Sequence, residues 1–171
     1  ENPNYTSFNG VLYDKQKTIL IQAPGGLNGE YSIPSSVTNI STYAFYNCDS
    51  LTGILISPNV TKIEEYAFEN CDNLTNIVIP PGVSSIEAYT FQGCSNLITV
   101  EIPDGITKIR PEAFSNCNNL TNIEIPSSVT KIEEKAFYNC PNLDIVIDNS
   151  EYSIMVETDA FKGCKSVSWK K

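Results

Sequence analysis

Residues 56–79 read Ile-Ser-Pro-Asn-Val-Thr-Lys-Ile-Glu-Glu-Tyr-Ala-Phe-Glu-Asn-Cys-Asp-Asn-Leu-Thr-Asn-Ile-Val-Ile, and two apolar rhythms follow one another within them. Ile77 and Ile79 keep the two-residue period of a strand. Val60, Ile63, Ala67 and Phe68 are spaced at three and four, which suits a bend followed by a turn of helix. The same text returns along the chain. Cysteines fall at Cys48, Cys71, Cys94, Cys117, Cys140 and Cys164, at intervals of 23, 23, 23, 23 and 24 residues. Three residues before each stands a phenylalanine (Phe45, Phe68, Phe91, Phe114, Phe137, Phe161), and three after it a leucine or valine (Leu51, Leu74, Leu97, Leu120, Leu143, Val167). A fixed period in this range marks a solenoid whose coils bury their apolar faces only against their neighbours.

The punctuation agrees. Pro80, Pro103 and Pro126 directly follow Ile79, Ile102 and Ile125, where a missing amide donor ends a strand ladder. Asn47, Asn70, Gly93, Asn116, Asn139 and Gly163 close the expected helical turn with residue types that tolerate a left-handed backbone. A polar column at Ser50, Asn73, Asn96, Asn119, Asn142 and Ser166 is read as a ladder that satisfies backbone groups in turns. Each coil turns about seven apolar side chains inward, each contributing about 1.5–3 kcal/mol when buried. Against the ordering entropy no coil is stable alone.

Composition narrows the function. With 41% hydrophobic and 18% charged residues the 171-residue chain is that of a folded protein. Its net charge of −9 and lack of a basic run disfavour nucleic acid and anionic membranes, and no stretch is long and apolar enough to insert in a bilayer. The chain contains no histidine, so imidazole-based triads and metal sites are closed off. The cysteines are read as a buried, reduced column. Disulfides between neighbouring coils are the alternative, since rungs about 4.8 Å apart fall within the Cα separations of about 4.4–6.8 Å that a disulfide accepts. A start at Glu1 reads as a piece of a longer protein.

Ile102-Pro103, Ile106, Ile109, Ala113-Phe114, Cys117, Leu120 and Ile123 resemble the repeat of the BspA-like (Treponema pallidum-type) leucine-rich repeat family, and the resemblance runs over about residues 31–171. The expected fold is an α/β-type solenoid, mostly β and irregular: a right-handed leucine-rich repeat array of about six 23-residue coils with an N-terminal β-hairpin. Residues 1–30 are assigned to the hairpin cap, resting on Gly10-Val11-Leu12-Tyr13, a turn at 14–17, and Ile19-Leu20-Ile21 before Pro24-Gly25-Gly26. Residues 31–171 are assigned to the repeats, with 141–171 an irregular C-terminal coil or cap; a truncated array is the alternative. There Ser153 replaces the Val60-type residue, Val156 the Ile63-type one, Lys170 stands at the Ile54 position, and Trp169 is a candidate cover. Strict counting puts Asp148 in the core, whereas a one-residue slip puts Ile145 and Ile147 inside.

The resemblance implies a surface-exposed protein of mucosa-associated bacteria or of protists, acting in adhesion to host cells, matrix proteins or other microbes. Fold alone does not assign function. With parallel strands, the outward residues form two rows: Ser32, Leu55, Val78, Glu101, Glu124, and beside it Glu30, Gly53, Asn76, Thr99, Asn122. Leu55, Asn76, Val78, Thr99, Glu101, Asn122 and Glu124 are the candidate partner-binding residues, because contiguous exposed apolar surface marks interaction sites. The bland reading is that β-propensity fills these slots. Glu101 and Glu124, about 4.8 Å apart, repel unless one is protonated or a cation intervenes. That spacing comes near the ~5–5.5 Å of retaining glycosidases, but an open sheet without a third catalytic group argues against an enzyme. No catalytic, cofactor or metal residue is assigned. Lys62, Lys108 and Lys131 share one phase, alongside Glu64, Glu65, Glu87, Glu112, Glu133 and Glu134, on what reads as a solvated face. Sequons begin at Asn4, Asn39, Asn59, Asn73 and Asn119, and Asn39 is the best acceptor if a secreting eukaryote is the source. The leading reading is an extracellular or cell-surface, non-enzymatic adhesion module that recognises a host-cell, matrix or microbial protein or glycan through its concave strand face. The rival is a structural spacer.

Overall fold

Each repeat closes into one coil, and the coils stack with equivalent residues over one another. The computed structural model describes residues 2–148 and 153–170; Glu1, residues 149–152 and Lys171 lie outside them. The strands are β1 (Tyr5–Phe8), β2 (Val11–Asp14), β3 (Ile19–Gln22), β4 (Gly29–Ser32), β5 (Asn39–Ile40), β6 (Leu51–Leu55), β7 (Lys62–Ile63) and β8 (Asn76–Val78). They continue as β9 (Ser85–Ile86), β10 (Thr99–Glu101), β11 (Lys108–Ile109), β12 (Asn122–Ile125), β13 (Lys131–Ile132), β14 (Asp144–Ile147), β15 (Met155–Val156) and β16 (Ser166–Trp169). The longer strands make the parallel ladders β4-β6 and β8-β10-β12-β14-β16; the two-residue strands make the ladder β9-β11-β13-β15 and extend the hairpin sheet as β1-β2-β3-β5-β7.

A coil therefore runs along a strand, turns, makes a short strand, and returns through a chain of turns. Among the described residues there is no helix, so the helical turn expected around Ala67 and Phe68 is not one. The reason is where the amides go. In a helix the Phe68 N–H would bond four residues back, but here it donates to the carbonyl of Thr90 in the next coil at 2.9 Å; Phe45, Phe91, Phe114 and Phe137 do the same to Ala67, Ala113, Ala136 and Ala160 at 2.8 Å. Two left-handed residues bracket the segment. One column was expected: Asn47, Asn70, Asn116 and Asn139 have φ of 55°, 56°, 62° and 56°, and Gly93 and Gly163 are positive as well. The other falls on Tyr43, Tyr66, Tyr89, Glu112, Lys135 and Asp159, with φ between 53° and 60°, mostly residue types that do not favour that region.

The core is a set of columns. The rings of Phe45, Phe68, Phe91, Phe114 and Phe137 are buried and stacked, with successive centroids 5.0, 5.6, 5.2 and 5.1 Å apart. All six cysteines are free thiols. Each from Cys71 onward donates to the carbonyl of the phenylalanine in the preceding coil: Cys71 to Phe45, Cys94 to Phe68, Cys117 to Phe91, Cys140 to Phe114 and Cys164 to Phe137, all at 3.1–3.2 Å. The column thus needs a residue small enough for the core that still carries a donor, and cysteine meets both needs. Burial pushes the Cys48 thiol up to about 12.

At the N-terminal end β1 and β2 pair antiparallel, as do β2 and β3, and β3 then pairs parallel with β5, Leu20 opposite Ile40. The hairpin thereby continues the row of short strands. Its Tyr13 hydroxyl shares a buried 2.5 Å hydrogen bond with Tyr31 of β4. At the other end the slipped register is the one adopted. Ile123 lies opposite Ile145 and Ile125 opposite Ile147, both partners fully buried, while Asp148 is only half-buried. Strict counting fails because a residue is missing after Leu143: Leu120 to Leu143 spans 23 residues, but Asn122 to its partner Asp144 spans 22. The same register puts Val167 opposite Ile145, so Val167 continues the isoleucine column rather than the leucine one, and Lys170 lies beyond the Ile54-type position. Ile132 is paired with Val156, but Ile154 rather than Ser153 is the buried residue before it. Trp169, opposite Ile147, packs half-buried on the core.

Two measurements check this packing. Phe91→Ala should cost about 3–5 kcal/mol in denaturant unfolding through lost burial and an unfilled cavity, and outward-facing Asn76→Ala about 0.5 kcal/mol or less; equal midpoints would contradict the inward and outward assignment. In thiol titration of the native protein Cys164 should react first, because it is partly exposed whereas the other five are buried. The five buried thiols should appear only on denaturation.

Candidate functional site

The long-strand face collects every residue singled out from the outward rows. Ser32 lies opposite Leu55 and Val78 opposite Glu101; in the neighbouring row Asn76, Thr99, Asn122, Asp144 and Ser166 follow one another across the parallel ladder. The side chains of Leu55, Asn76, Val78, Thr99, Glu101, Asn122 and Glu124 all point to solvent, since alternate strand residues face away from the core. Leu55 and Val78 are 69% and 61% exposed, more than any other large hydrophobic residue of the face.

Two open depressions divide this face. The upstream one, about 420 Å³, is lined by Glu30, Ser32, Gly53, Leu55 and Asn76 among others. Gly53 leaves room for the Glu30 side chain, whose Cγ would stand 3.3 Å from a Cβ at that position. The downstream one, about 540 Å³, is lined by Thr99, Glu101, Asp104, Asn122, Glu124 and Asp148 among others. A cation from the chain itself meets one carboxylate of the Glu101–Glu124 pair: the Lys170 ammonium contacts Glu124 and lies 3.6 Å from Asp148. Among the described residues no group of three or more metal-ligating side chains converges.

The short-strand row is organised differently. Lys108 lies between Ser85 and Lys131 in register, and the charges pair along the array. Arg110 reaches Glu87 (3.7 Å) and Glu133 (3.3 Å), and Lys131 reaches Glu133 (3.4 Å) and Glu157 (2.7 Å). Glu64 accepts from Lys62 (2.9 Å), the Asn39 amide (3.1 Å) and both the N–H and hydroxyl of Thr42 (3.2 and 2.9 Å). Asn39 is consequently half-buried with its amide nitrogen engaged, which makes it a poorer glycan acceptor than its sequon suggested. Burial opposes ionisation of Glu64, but those hydrogen bonds outweigh it and hold the carboxyl at about 2, against an ordinary 4.5.

The outward-row reading missed Lys170, Asp104 and Asp148, and it missed a tyrosine ladder at the turns. Tyr43, Tyr66 and Tyr89 stack with centroids 4.7 Å apart at both steps, and Tyr46 meets Tyr43 edge-on. Their 23-residue spacing was visible in the sequence. The Asn column was anticipated as a ladder, and it forms one in part: Asn119 donates to Asn96 at 2.9 Å, while Asn73 and Asn142 donate to the carbonyls of Asp49 and Asn118.

The family model described as BspA type leucine rich repeat region matches residues 29–144 in six copies. A leucine-rich repeat protein from Eubacterium ventriosum is 30% identical, with a TM-score of 0.84 over 96% of this chain and 50% of that one. A leucine rich cell surface protein from Faecalibacterium prausnitzii is 34% identical, with a TM-score of 0.86 over 92% of this chain and 44% of that one. The chain thus spans about half the length of these two proteins. The leucine rich repeat protein of T. pallidum, at 23% identity, shares the fold with a TM-score of 0.76 over 96% of this chain and 89% of that one. No curated protein matches the chain.

Glu64 yields a pH test. Above about pH 4.5 it is ionised whether folded or unfolded, and its contribution to stability is complete. As the pH falls towards 2 the unfolded chain takes up the proton first and that contribution is lost. The stability difference between wild type and Glu64→Gln, measured by denaturant unfolding, should therefore be constant above pH 5 and shrink between about pH 4.5 and 2; a difference that does not change with pH would contradict the assignment.

Proposed function

The chain belongs to the BspA-type leucine-rich repeat family, and from that premise we propose that it is a non-enzymatic binding module of a cell surface, engaging a protein or glycan partner through its long-strand face. The observation that carries this reading is the exposure of Leu55 and Val78, 69% and 61%, on a face whose other outward residues are mostly small, amide or acidic, the aliphatic Val146 beside Glu124 being half-buried. Two exposed aliphatic residues in adjacent coils lose solvation free energy only when something covers them. The relative from Faecalibacterium prausnitzii is described as a cell surface protein, which supports the same location. The opposite row supports the choice of face from the other side, because Arg110 and Lys131 already bridge to acids of neighbouring coils and a partner there would have to break those pairs.

Catalysis has no support in the geometry of Glu101 and Glu124, since Lys170 already neutralises Glu124 and the depression is open. Under the proposed function, Leu55→Ser with Val78→Ser should weaken capture of a partner from host-cell extract or a glycan array at least tenfold, because interface energy concentrates in a few central residues. Lys108→Ala on the short-strand row should leave capture unchanged, with circular dichroism confirming the fold of each variant. A larger loss from Lys108→Ala would move the site off this face, and uniform silence of the wild type would favour a spacer.

A further inference from the structure

The long-strand face changes character along the array. Leu55 and Val78 stand upstream, whereas Glu101, Asp104, Glu124 and Asp148 surround the downstream depression of about 540 Å³. Among the described residues Glu101 and Asp104 have no basic partner. Among the described residues the ammonium that meets these acids comes from the last coil, where Lys170 touches Glu124 and sits 3.6 Å from Asp148. Four carboxylates facing one ammonium leave the hollow negative, on a chain whose net charge is already −9.

Resting on the proposed role of this face, we infer that its occupant is an extended protein segment that lays an apolar side chain on Leu55 and Val78 and a lysine or arginine in the acidic hollow, displacing Lys170, which is the intramolecular stand-in for that cation. The spacing agrees. Coils about 4.8 Å apart put the middle of the Glu101 and Glu124 pair about 10 Å from the middle of the Leu55 and Val78 pair, and an extended chain advances about 3.3 Å per residue. The basic residue then follows the apolar one by two to four positions, and its flexible stem takes up the difference. Charge complementarity favours this occupant and steers its approach. A neutral glycan is the weaker fit: sugar rings stack on exposed aromatic faces, and the exposed aromatic residues Tyr5, Phe8, Tyr43 and Tyr46 all lie off this face. Anionic glycans are repelled by the hollow.

The test uses fluorescein-labelled acetyl-Leu-Val-Ser-Lys-Arg-amide in anisotropy titrations at low salt, against the same peptide with both basic residues replaced by glutamate. The basic peptide should bind and the acidic one should not, and raising the salt to about 0.5 M should weaken binding. Glu101→Gln with Glu124→Gln should weaken it about tenfold. Lys170→Ala should tighten it about threefold, a gain that misfolding cannot produce. Equal affinity of the two peptides, or no change in either variant, overturns the cationic assignment. Loss in the Leu55→Ser and Val78→Ser protein alone overturns that assignment while leaving the face as the binding surface. Capture of a neutral glycan that depends on Leu55 and Val78, without peptide binding, replaces the protein segment with a glycan. No effect of any of these variants on any captured partner overturns the proposed function itself.

Discussion

Lateral hydrogen bonding between equivalent positions of successive coils is the constraint on which this structure depends. The amides of Phe45, Phe68, Phe91, Phe114 and Phe137 bond forward to the next coil, and the carbonyl of each accepts a thiol from that same coil. The carbonyl also accepts the amide of its own coil's cysteine, as from Cys71 to Phe68 at 3.3 Å. A coil removed from its neighbours would leave these buried groups unpaired, at about 1–3 kcal/mol each. This is why the repeat length is held so closely from Cys48 to Cys140, and why the last coil stands apart, with nine residues from Ile147 to Val156 against seven from Ile125 to Ile132.

Much of this was legible because columns have a fixed phase. The cysteine, phenylalanine and left-handed asparagine positions follow from spacing and residue type, and so do the outward rows. What spacing could not show was the destination of each hydrogen bond. The three-and-four rhythm of Val60, Ile63, Ala67 and Phe68 is common to a helix and to a coil that bonds sideways, so it pointed to a helical turn that does not form. The left-handed Tyr66 column was hidden for a related reason: the stacking geometry demands that conformation, and its side chains do not. In the last coil a missing residue after Leu143 and the insertion before Ile154 fall on either side of β14. Counting from cysteine to cysteine registers only their sum, and Asp148 was carried into the core on paper while Ile147 occupies it in the structure.

The candidate site was legible as a set of residues and not as an electrostatic surface. Glu101 and Glu124 were visible as neighbours, but Lys170 is 46 residues from Glu124 in sequence and reaches it because β16 closes the same ladder. The two rows of the solenoid consequently differ in what they leave unsatisfied. On the short-strand row the acids and bases alternate closely enough to bridge coils, and each contributes modestly to stability. On the long-strand face the acids outnumber the bases and the aliphatic residues lie open.

The end of the array shows how much each coil depends on the one that follows. Phe161 and Cys164 occupy the same columns as Phe137 and Cys140, yet they are only partly buried, and Val156 is 38% exposed where its partner Ile132 is wholly covered. Their residue types have not changed; what is missing beyond them in this structure is a neighbouring surface. The strand closing the long ladder answers this with composition. β16 reads Ser166-Val167-Ser168-Trp169, hydroxyls alternating with one small and one very large apolar side chain. Ser166 pairs with the Asp144 carboxylate at 2.6 Å and Ser168 with the Ile145 carbonyl at 3.2 Å. Trp169 lies over the core beside Ile147. The hydroxyls of β16 are thus engaged by the strand beneath it, and its large apolar side chain by the core.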